Sequence, residues 1–411
     1  MILRSATLVD GSVVDVRLAD GLIAEIGEIS GGDEQTLDLH GHLLLPGLVE
    51  PHLHLDTVFS GNRGGAGAPG LDGAVDHWLA ARALIDGADV HDRAERAVAL
   101  AARRGVTAMR AHVDVGAGIE LRGLEALLAL RDEWRSVIDI ELVAMGDLAL
   151  TGTEGTRGRA WLEAAVEAGA DVVGGAPALD PDPERCVDYL LAVASGASRP
   201  VDLHVDETLD PASPVLDAFV RAVVDGGFAP RATASHCASL AMRAEQDQHT
   251  TAAAVAAAGI AVIALPATNL YLLGRDFRTA RPRGMTALEP LAQAGVVVAA
   301  GADNVRDAFN PVGTPDPLRT AELLVIAGQI SPEAALRAVT SNARSALGLP
   351  EVELRPGSPA DLVAVPGSTL EEALSETGED RIVIKGGRIV ARSSLLQTVA
   401  PAAGIRGAAP A

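Results

Sequence analysis

Eight short apolar runs, each long enough for one buried β-strand, recur along the middle of this 411-residue chain. Alanine-rich stretches with apolar residues at helical spacing separate them, for example at 89–104, 123–137, 157–168 and 214–226. Strands that alternate with helices form parallel sheets, and eight such units close into a barrel. The pattern therefore predicts an α/β fold built on a (β/α)8 TIM-type barrel. The predicted strands are Leu48–Leu55, Thr107–Val113, Ile138–Ala144, Asp171–Ala176, Val201–Val205, Arg231–Cys237, Ile260–Leu265 and Val296–Ala302.

Both ends of the chain have a different pattern. Residues 1–46 alternate apolar and polar residues in short runs broken by Asp-Gly and Gly-Gly pairs, which is typical of hairpins in an antiparallel sheet. The same pattern returns in 361–365 and 382–390. We therefore expect one small β-sandwich domain formed from both chain termini, with the barrel inserted into it. The expected domains are 1–46 with 350–400, the barrel over 47–349, and a flexible tail over 401–411.

The chain is strongly acidic, with 55 acidic against 33 basic residues and a formal charge of -22. Such a charge repels nucleic-acid phosphates and anionic membrane surfaces, so we expect neither as a partner. Two cysteines cannot form a disulfide framework, and the first residues lack the basic and apolar segments of a signal peptide. We expect a cytoplasmic protein with a small-molecule substrate. The sequence leaves the oligomeric state open, a homo-oligomer included.

Histidines cluster at the carboxyl ends of the predicted strands, which is the face of a barrel where catalysis occurs. His52 and His54 are two residues apart on the first strand, so their imidazoles project from one face and can reach the same cation. His204 ends the fifth strand, and Asp303 follows the eighth, where a buried carboxylate needs a partner. These four side chains predict a metal site. For the His-x-His pair alone, the alternative is two solvated histidines at a polar strand end.

Two further side chains are expected beside that metal. Glu207 follows His204 by three residues, so it reaches the site only where the strand breaks into a loop. There a carboxylate can move protons for a metal-activated water, and the alternative is a solvated loop acid. His236 closes the sixth strand and could bind the attacking water or the substrate, unless it is a core histidine with backbone partners. His112 ends the second strand, where support of the site and direct contact are equally open.

Seven motifs spread over almost the whole chain carry a resemblance to a known family. They are LPGLVEPHLHLD at 45–56, RAHVD at 110–114, GADVVG at 169–174, DLHVDE at 202–207, TASH at 233–236, GAD at 301–303 and PGSPADLV at 356–363. With these motifs the chain resembles the amidohydrolase superfamily and, within it, the cytosine deaminase group.

The resemblance implies a hydrolytic deaminase with one zinc or iron ion, and it assigns the site residues. The implied metal ligands are His52, His54, His204 and Asp303. The resemblance also implies a role for each neighbouring side chain. Asp303 accepts the proton of the attacking water, and Glu207 protonates the ring nitrogen beside the attacked carbon. His236 orients the nucleophile. These roles agree with the chemistry expected of the residues themselves.

The count of metal ions follows from the chain's only lysine, Lys385. Binuclear sites in proteins of this architecture are commonly bridged by a carboxylated lysine from a mid-barrel strand. No lysine lies between Met1 and Ile384, so we expect one divalent ion, Zn²⁺ or Fe²⁺.

The chain departs from the cytosine deaminase pattern at positions that are expected to contact the substrate. Asp147 stands where a glutamine is expected, and an ionised carboxylate only accepts hydrogen bonds, so it would favour a ring edge with N–H groups. The alternative for Asp147 is a loop acid away from the substrate. Asn304 replaces a second aspartate after Asp303, and Phe309 replaces a tryptophan. These substrate-binding candidates predict a reshaped pocket and put cytosine itself in question.

The expected function is a mononuclear metal-dependent deaminase of a small aminated nitrogen heterocycle, such as cytosine, isocytosine, an aminotriazine or creatinine. A hydrolase of another C–N bond, in a cyclic amide or an N-substituted ring, is the alternative. A non-catalytic metal-binding scaffold would require the loss of proton-shuttle positions, yet Glu207 and His236 are both present. The glycine-rich residues 61–73 form either a mobile lid or a slack surface loop.

Overall fold

Five short strands precede the barrel in the computed structural model, which describes residues 1–31, 34–63, 69–376 and 378–395. The expected tail at 401–411 and residues 64–68 of the glycine-rich loop lie outside the described residues. The first three strands pair as antiparallel neighbours, as the hairpin pattern predicts. The five strands are β1 (Ile2–Thr7), β2 (Val13–Ala19), β3 (Leu22–Gly27), β4 (Thr36–Asp38) and β5 (His42–Pro46).

Eight parallel strands form the predicted barrel, and they pair in chain order from first to last. Backbone hydrogen bonds close the barrel: the N–H of His54 donates to the carbonyl of Asp303, and the N–H of Asp303 donates to the carbonyl of His52, both at 2.9 Å. The ends of the first and eighth strands therefore lie side by side. The barrel strands are β6 (Leu48–His54), β7 (Val106–Asp114), β8 (Asp139–Met145), β9 (Val172–Gly175), β10 (Val201–Val205), β11 (Ala232–His236), β12 (Ala261–Ala264) and β13 (Val298–Ala300).

Most of the helices cover the outside of the barrel, and the four that were predicted lie where expected. Several begin with a capping side chain, as Asp86, Asp182 and Ser331 each accept a hydrogen bond from an N–H of the first turn. The helices are α1 (Leu71–Arg82), α2 (Gly87–Arg103), α3 (Arg122–Trp134), α4 (Thr156–Ala168), α5 (Pro183–Gly196), α6 (Val215–Asp225), α7 (Glu245–Ala257), α8 (Pro266–Leu272), α9 (Leu288–Gln293), α10 (Pro317–Ile326), α11 (Pro332–Ala338), α12 (Ser341–Leu347) and α13 (Leu370–Ser375). None of the described helices is both long enough and apolar enough to cross a bilayer.

The last strands return to the first ones, so both ends of the chain form one sheet. They are β14 (Leu362–Pro366), β15 (Ile382–Lys385) and β16 (Arg388–Arg392). β14 pairs antiparallel with β5, and Leu362 faces Pro46 in the register. Leu3, Val16, Leu44 and Ile384 belong to a buried cluster that is separate from the barrel core. This two-ended β-domain confirms the expected architecture.

One buried ion pair and one exposed ion pair join the β-domain to the barrel. Arg381, which directly precedes β15 and is 1% exposed, donates two hydrogen bonds to the carboxylate of Asp316, at 2.8 and 2.9 Å. Asp316 also caps the first turn of α10. The ammonium of Lys385 donates to Asp139 on β8 at 2.6 Å. The chain's single lysine therefore has a structural contact far from the carboxyl ends of the barrel strands.

Candidate active site

Four side chains from three parts of the barrel converge at the carboxyl ends of the strands. His52 and His54 come from β6, His204 from β10, and Asp303 from the segment that follows β13. The Nε2 atoms of His54 and His204 are 3.0 Å apart, and Oδ1 of Asp303 lies 3.4 Å from Nε2 of both His52 and His54. One ligand atom from each of the four residues lies within 4.8 Å of every other. The predicted ligand set is thus brought together.

The chemistry of this cluster fits a divalent cation. Burial lowers the pKa of His52, His54 and His204 well below the usual range, so the three imidazoles are neutral and carry a lone pair. Nε2 of His52 and Oδ2 of Asp303 are buried and have no hydrogen-bond partner among the described residues. Buried polar atoms normally have a partner, and three imidazoles with one carboxylate are a typical set for zinc or iron.

A buried hydrogen-bond chain fixes the ring of His52. Nδ1 of His52 lies 2.9 Å from Oγ of Ser235, which donates to Oδ1 of Asp202 at 2.9 Å. Arg110 donates to the other oxygen of Asp202 at 2.8 Å. Because the Ser235 proton goes to Asp202, Nδ1 of His52 is the donor and Nε2 keeps its lone pair for a metal. His112 stacks on His52 at 3.8 Å between ring centroids and is not one of the four convergent ligands.

Left-handed backbone at the strand ends turns the reactive side chains into the site. His236 and Asp303 have φ angles of 69° and 64°, and Asp206 has a φ of 51°. Non-glycine residues adopt this conformation rarely, and it is concentrated at functional sites. The turn at Asp206 ends β10, so Glu207 points into the barrel mouth, as its position three residues after His204 requires. Asp206 accepts hydrogen bonds from the hydroxyls of Ser213 and Ser239 and from the N–H groups of Val215 and Leu216.

Glu207 and His236 form a second titratable group, which shares Asp303 with the cluster of four candidate ligands. Oε1 of Glu207 lies 3.7 Å from Nδ1 of His236, and Nε2 of His236 lies 4.0 Å from Oδ2 of Asp303. Nδ1 of His236 also lies 2.9 Å from Oδ1 of Asn269, which holds the ring. Burial raises the pKa of Glu207 to about 7, His236 opposes this rise, and Asp303 adds to it. A carboxyl group with such a pKa can exchange protons near neutral pH.

Glu50 supports the site from below, a role that the strand pattern alone did not predict. Its fully buried carboxyl group accepts hydrogen bonds from the N–H groups of His52 at 3.2 Å and Ala302 at 3.0 Å. Burial raises the pKa of Glu50 to about 8. A Cβ atom at Gly301 would lie 2.5 Å from Oε1 of Glu50, so only glycine allows this approach. An acid inside an apolar strand was the signal that could have identified Glu50.

A cavity with mostly apolar walls opens above the cluster. Helix α1 contributes one wall, and the segments that follow β8 and β9 contribute another. Of the predicted substrate contacts, Asn304 and Phe309 line this cavity. The apolar lining residues are Leu71, Val75, Trp78, Leu79, Met145, Leu148, Ala176, Leu179 and Phe309, and the polar ones are His54, Thr57, Asp114, His204, Glu207, His236, Asp303 and Asn304.

The structure does not bring Asp147 to the cavity wall. Its Oδ1 accepts a hydrogen bond from Arg82 at 2.9 Å, and its Oδ2 accepts one from the N–H of Ala117 at 2.9 Å. Both carboxylate oxygens of Asp147 therefore already have hydrogen-bond partners, and neither partner lines the cavity. The acidic residue that lines the cavity on this side is Asp114, at the end of β7.

Comparison with known proteins connects this geometry to a family. The profile of the amidohydrolase family matches residues 61–391. The pterin deaminase of Rhizobium rhizogenes is 33% identical over 386 residues, which cover 92% of this chain and 88% of that protein. The crystal structure of 5-methylcytosine deaminase from Klebsiella pneumoniae superposes with a TM-score of 0.87 at 28% identity and covers 98% of this chain and 100% of that one.

A third similar protein is named for action on a different substrate, N-isopropylammelide. The crystal structure of N-isopropylammelide isopropylaminohydrolase from Burkholderia multivorans superposes with a TM-score of 0.81 at 28% identity, over 95% of this chain and 98% of that one. The extent of these matches, together with the barrel and its convergent histidines, leads to one conclusion. The chain belongs to the amidohydrolase family.

Proposed function

We propose that this amidohydrolase is a mononuclear, metal-dependent deaminase of small aminated nitrogen heterocycles. The observation that carries the proposal is the position of Glu207 and His236 beside the four-ligand cluster, with Asp303 shared between the two groups. A binding scaffold would need the ligands alone. A hydrolytic deaminase also needs groups that move protons between water, ring nitrogen and leaving amine.

Each proton-transfer role falls to a named side chain. When bound, a divalent ion such as Zn²⁺ or Fe²⁺ lowers the pKa of a coordinated water and so supplies the nucleophile at neutral pH. Oδ2 of Asp303, which has no hydrogen-bond partner among the described residues, is the acceptor for the proton of the attacking water. Glu207 delivers a proton to the ring nitrogen beside the attacked carbon. His236, held by Asn269, fixes the direction of attack.

The proposed substrate is a planar ring with an amino group next to a ring nitrogen. The apolar cavity walls, with Trp78 and Phe309 among them, favour a flat, weakly charged molecule. Two similar proteins are named for the deamination of such rings, pterin and 5-methylcytosine. Pterin contains the 2-amino-4-oxopyrimidine ring of isocytosine. We therefore place isocytosine-type rings, alone or fused, first among the candidates.

Hydrolysis of an N-alkylated amine on such a ring is the second candidate. It is favoured by the similarity to N-isopropylammelide isopropylaminohydrolase. The same residues would act, but an alkylamine would leave in place of ammonia. The products therefore distinguish the two reactions.

The test is release of ammonia or alkylamine from a panel of pterins, pyrimidines and aminotriazines by protein reconstituted with Zn²⁺ or Fe²⁺. We expect ammonia from at least one ring of the isocytosine type. Glu207→Gln should lower the rate by about 10²- to 10⁴-fold while the metal content stays the same. The matched control is Glu125→Gln, an exposed position on α3 that should keep the full rate. Absence of any amine release from the whole panel would refute the proposal.

A further inference from the structure

Most polar side chains on the cavity wall either belong to the four candidate ligands and the Glu207–His236 pair or already have hydrogen-bond partners. Oγ1 of Thr57 donates to Oδ2 of Asp307 at 2.6 Å. Nδ2 of Asn304 donates to the same oxygen at 3.0 Å, and Oδ1 of Asn304 accepts from the hydroxyl of Thr268 at 3.2 Å. These groups hold the loop that carries Asp307. Because these hydrogen bonds are already made within the protein, the two side chains are poorly placed to hydrogen-bond with a bound heterocycle.

Asp114 is the exception on this wall. Its side chain is 20% exposed, and its Oδ2 accepts hydrogen bonds from Nε1 of Trp78 at 2.8 Å and from Nη1 of Arg82 at 3.2 Å. Among the described residues, nothing donates to Oδ1. One oxygen of the carboxylate is therefore fixed by the protein, and the other remains an acceptor at the edge of an apolar cavity.

The surroundings of Asp114 hold this acceptor in place before a ligand arrives. Burial raises the pKa of Asp114, and the positive charge of Arg82, which is 4% exposed and bridges Asp114 to Asp147, opposes that rise and favours the carboxylate. The backbone N–H of Asp114 donates to Oδ2 of the buried Asp56 at 2.8 Å, which fixes the end of the strand. A preorganised charged acceptor binds a donor with little reorganisation.

We propose that Asp114 is the residue that selects the substrate, because its Oδ1 accepts a hydrogen bond from an N–H or NH2 group that the ring carries besides the amino group being removed. This inference rests on the proposed function, since it needs a ring whose reacting carbon faces Glu207 and Asp303. A carbonyl oxygen opposite Asp114 would meet an anion with no donor. An N–H group would form a charge-assisted hydrogen bond.

The inference narrows the substrate class to heterocycles with a second donor. Isocytosine and pterin have a ring N–H, and diaminotriazines have a second amino group. For isocytosine and pterin, methylation of the ring N–H removes the donor and leaves the rest of the ring nearly unchanged, whereas an amino group loses both donors only on dimethylation. Pairs of free and N-methylated rings therefore measure the contribution of the hydrogen bond directly.

The experiment combines these ring pairs with three variants, Asp114→Ala, Asp114→Asn and Asp147→Asn. Affinity for each ring is measured by calorimetry on metal-stripped protein, and kcat/KM for amine release is measured on the reconstituted enzyme. The unchanged protein should prefer the free ring by about 10- to 100-fold, as expected for a hydrogen bond to a charged group. The preference should fall below about threefold in Asp114→Ala, whereas Asp147→Asn should keep it. Asp114→Asn retains the shape of the side chain, so it should remain folded and show a reduced preference.

The outcomes separate this inference from the proposed function. A preference for the free ring that survives in Asp114→Ala, or one that disappears only in Asp147→Asn, would overturn the role of Asp114. Failure of the unchanged protein to bind any of the rings would overturn it as well. If the calorimetric preference depends on Asp114 but no ring releases an amine, the recognition site is supported and the proposed reaction fails.

Discussion

Nε2 of His54 lies 3.0 Å from Nε2 of His204, although 150 positions of sequence separate the two residues. Burial lowers the pKa of both imidazoles, so two neutral rings face each other. Two lone pairs at this distance repel unless a proton or a cation lies close to both. The short distance between the two Nε2 atoms therefore supports a site that binds a cation close to both rings.

Removal of either histidine of this pair should release the metal. We expect His54→Ala and His204→Ala each to lower the affinity for Zn²⁺ by more than about a hundredfold, because a ligand has a larger effect than the groups that support it. The measurement is metal content after dialysis, by elemental analysis. His40→Ala, at an exposed position in the β-domain, is the control and should retain the metal. Full metal content in both active-site variants would show that the cluster is not the binding site.

The hydrogen-bond chain behind His52 should also contribute to metal affinity. Ser235→Ala removes the hydroxyl that links Nδ1 of His52 to Asp202, so the ring loses its fixed tautomer. We expect an affinity loss of about 10- to 100-fold, measured by competition with a chelator. Ser239→Ala is a matched control, because that buried hydroxyl contacts Asp206 and no histidine. Equal effects of both substitutions would contradict the role of the chain.

Gly301 should tolerate no side chain. In Gly301→Ala the new Cβ would lie 2.5 Å from Oε1 of Glu50 and 2.9 Å from the carbonyl oxygen of His52. Because both groups are buried, we expect a loss of about 1–3 kcal/mol in the free energy of unfolding, together with weaker metal binding. Urea denaturation checks the first effect and dialysis the second. Gly196→Ala, which meets nothing within 4 Å, should cause neither.

The buried pair between Arg381 and Asp316 should be important for stability. Arg381→Leu leaves the Asp316 carboxylate without its bidentate partner, and breaking a buried pair costs about 3–5 kcal/mol. The expected result is a lower midpoint in urea. Arg355→Leu is the control, because Arg355 is exposed in its pair with Glu353, and such pairs contribute only about 0–1 kcal/mol. Similar midpoints for both variants would mean that the interdomain pair contributes little.

The barrel and the grouping of the four candidate ligands could be predicted from the sequence because each depends on local pattern. An apolar run that stops at a histidine or an aspartate marks a strand end, and the carboxyl ends of parallel strands meet on one face. Hence His52, His54, His204 and Asp303 could be grouped from the strand pattern and the residue types at the strand ends. The two-ended β-domain followed from hairpin signals at both termini.

Side-chain direction in the loops could not be predicted. Asp147 follows β8 as expected, but Arg82 on α1 and the N–H of Ala117 draw its carboxylate behind the wall. These partners lie far from Asp147 in sequence, and no periodic pattern connects them. The left-handed turn at Asp206, which aims Glu207, occurs at a residue type that only tolerates this conformation.

The pairing of β5 with β14 has a consequence for folding during translation. Nearly the whole barrel lies between these strands, so β5 leaves the ribosome long before its neighbour is translated. Until then one edge of β5 has free N–H and C=O groups, and such an edge invites pairing with another chain. We therefore expect the nascent polypeptide to be prone to aggregation while the barrel is being translated, until β14 emerges and covers that edge of β5.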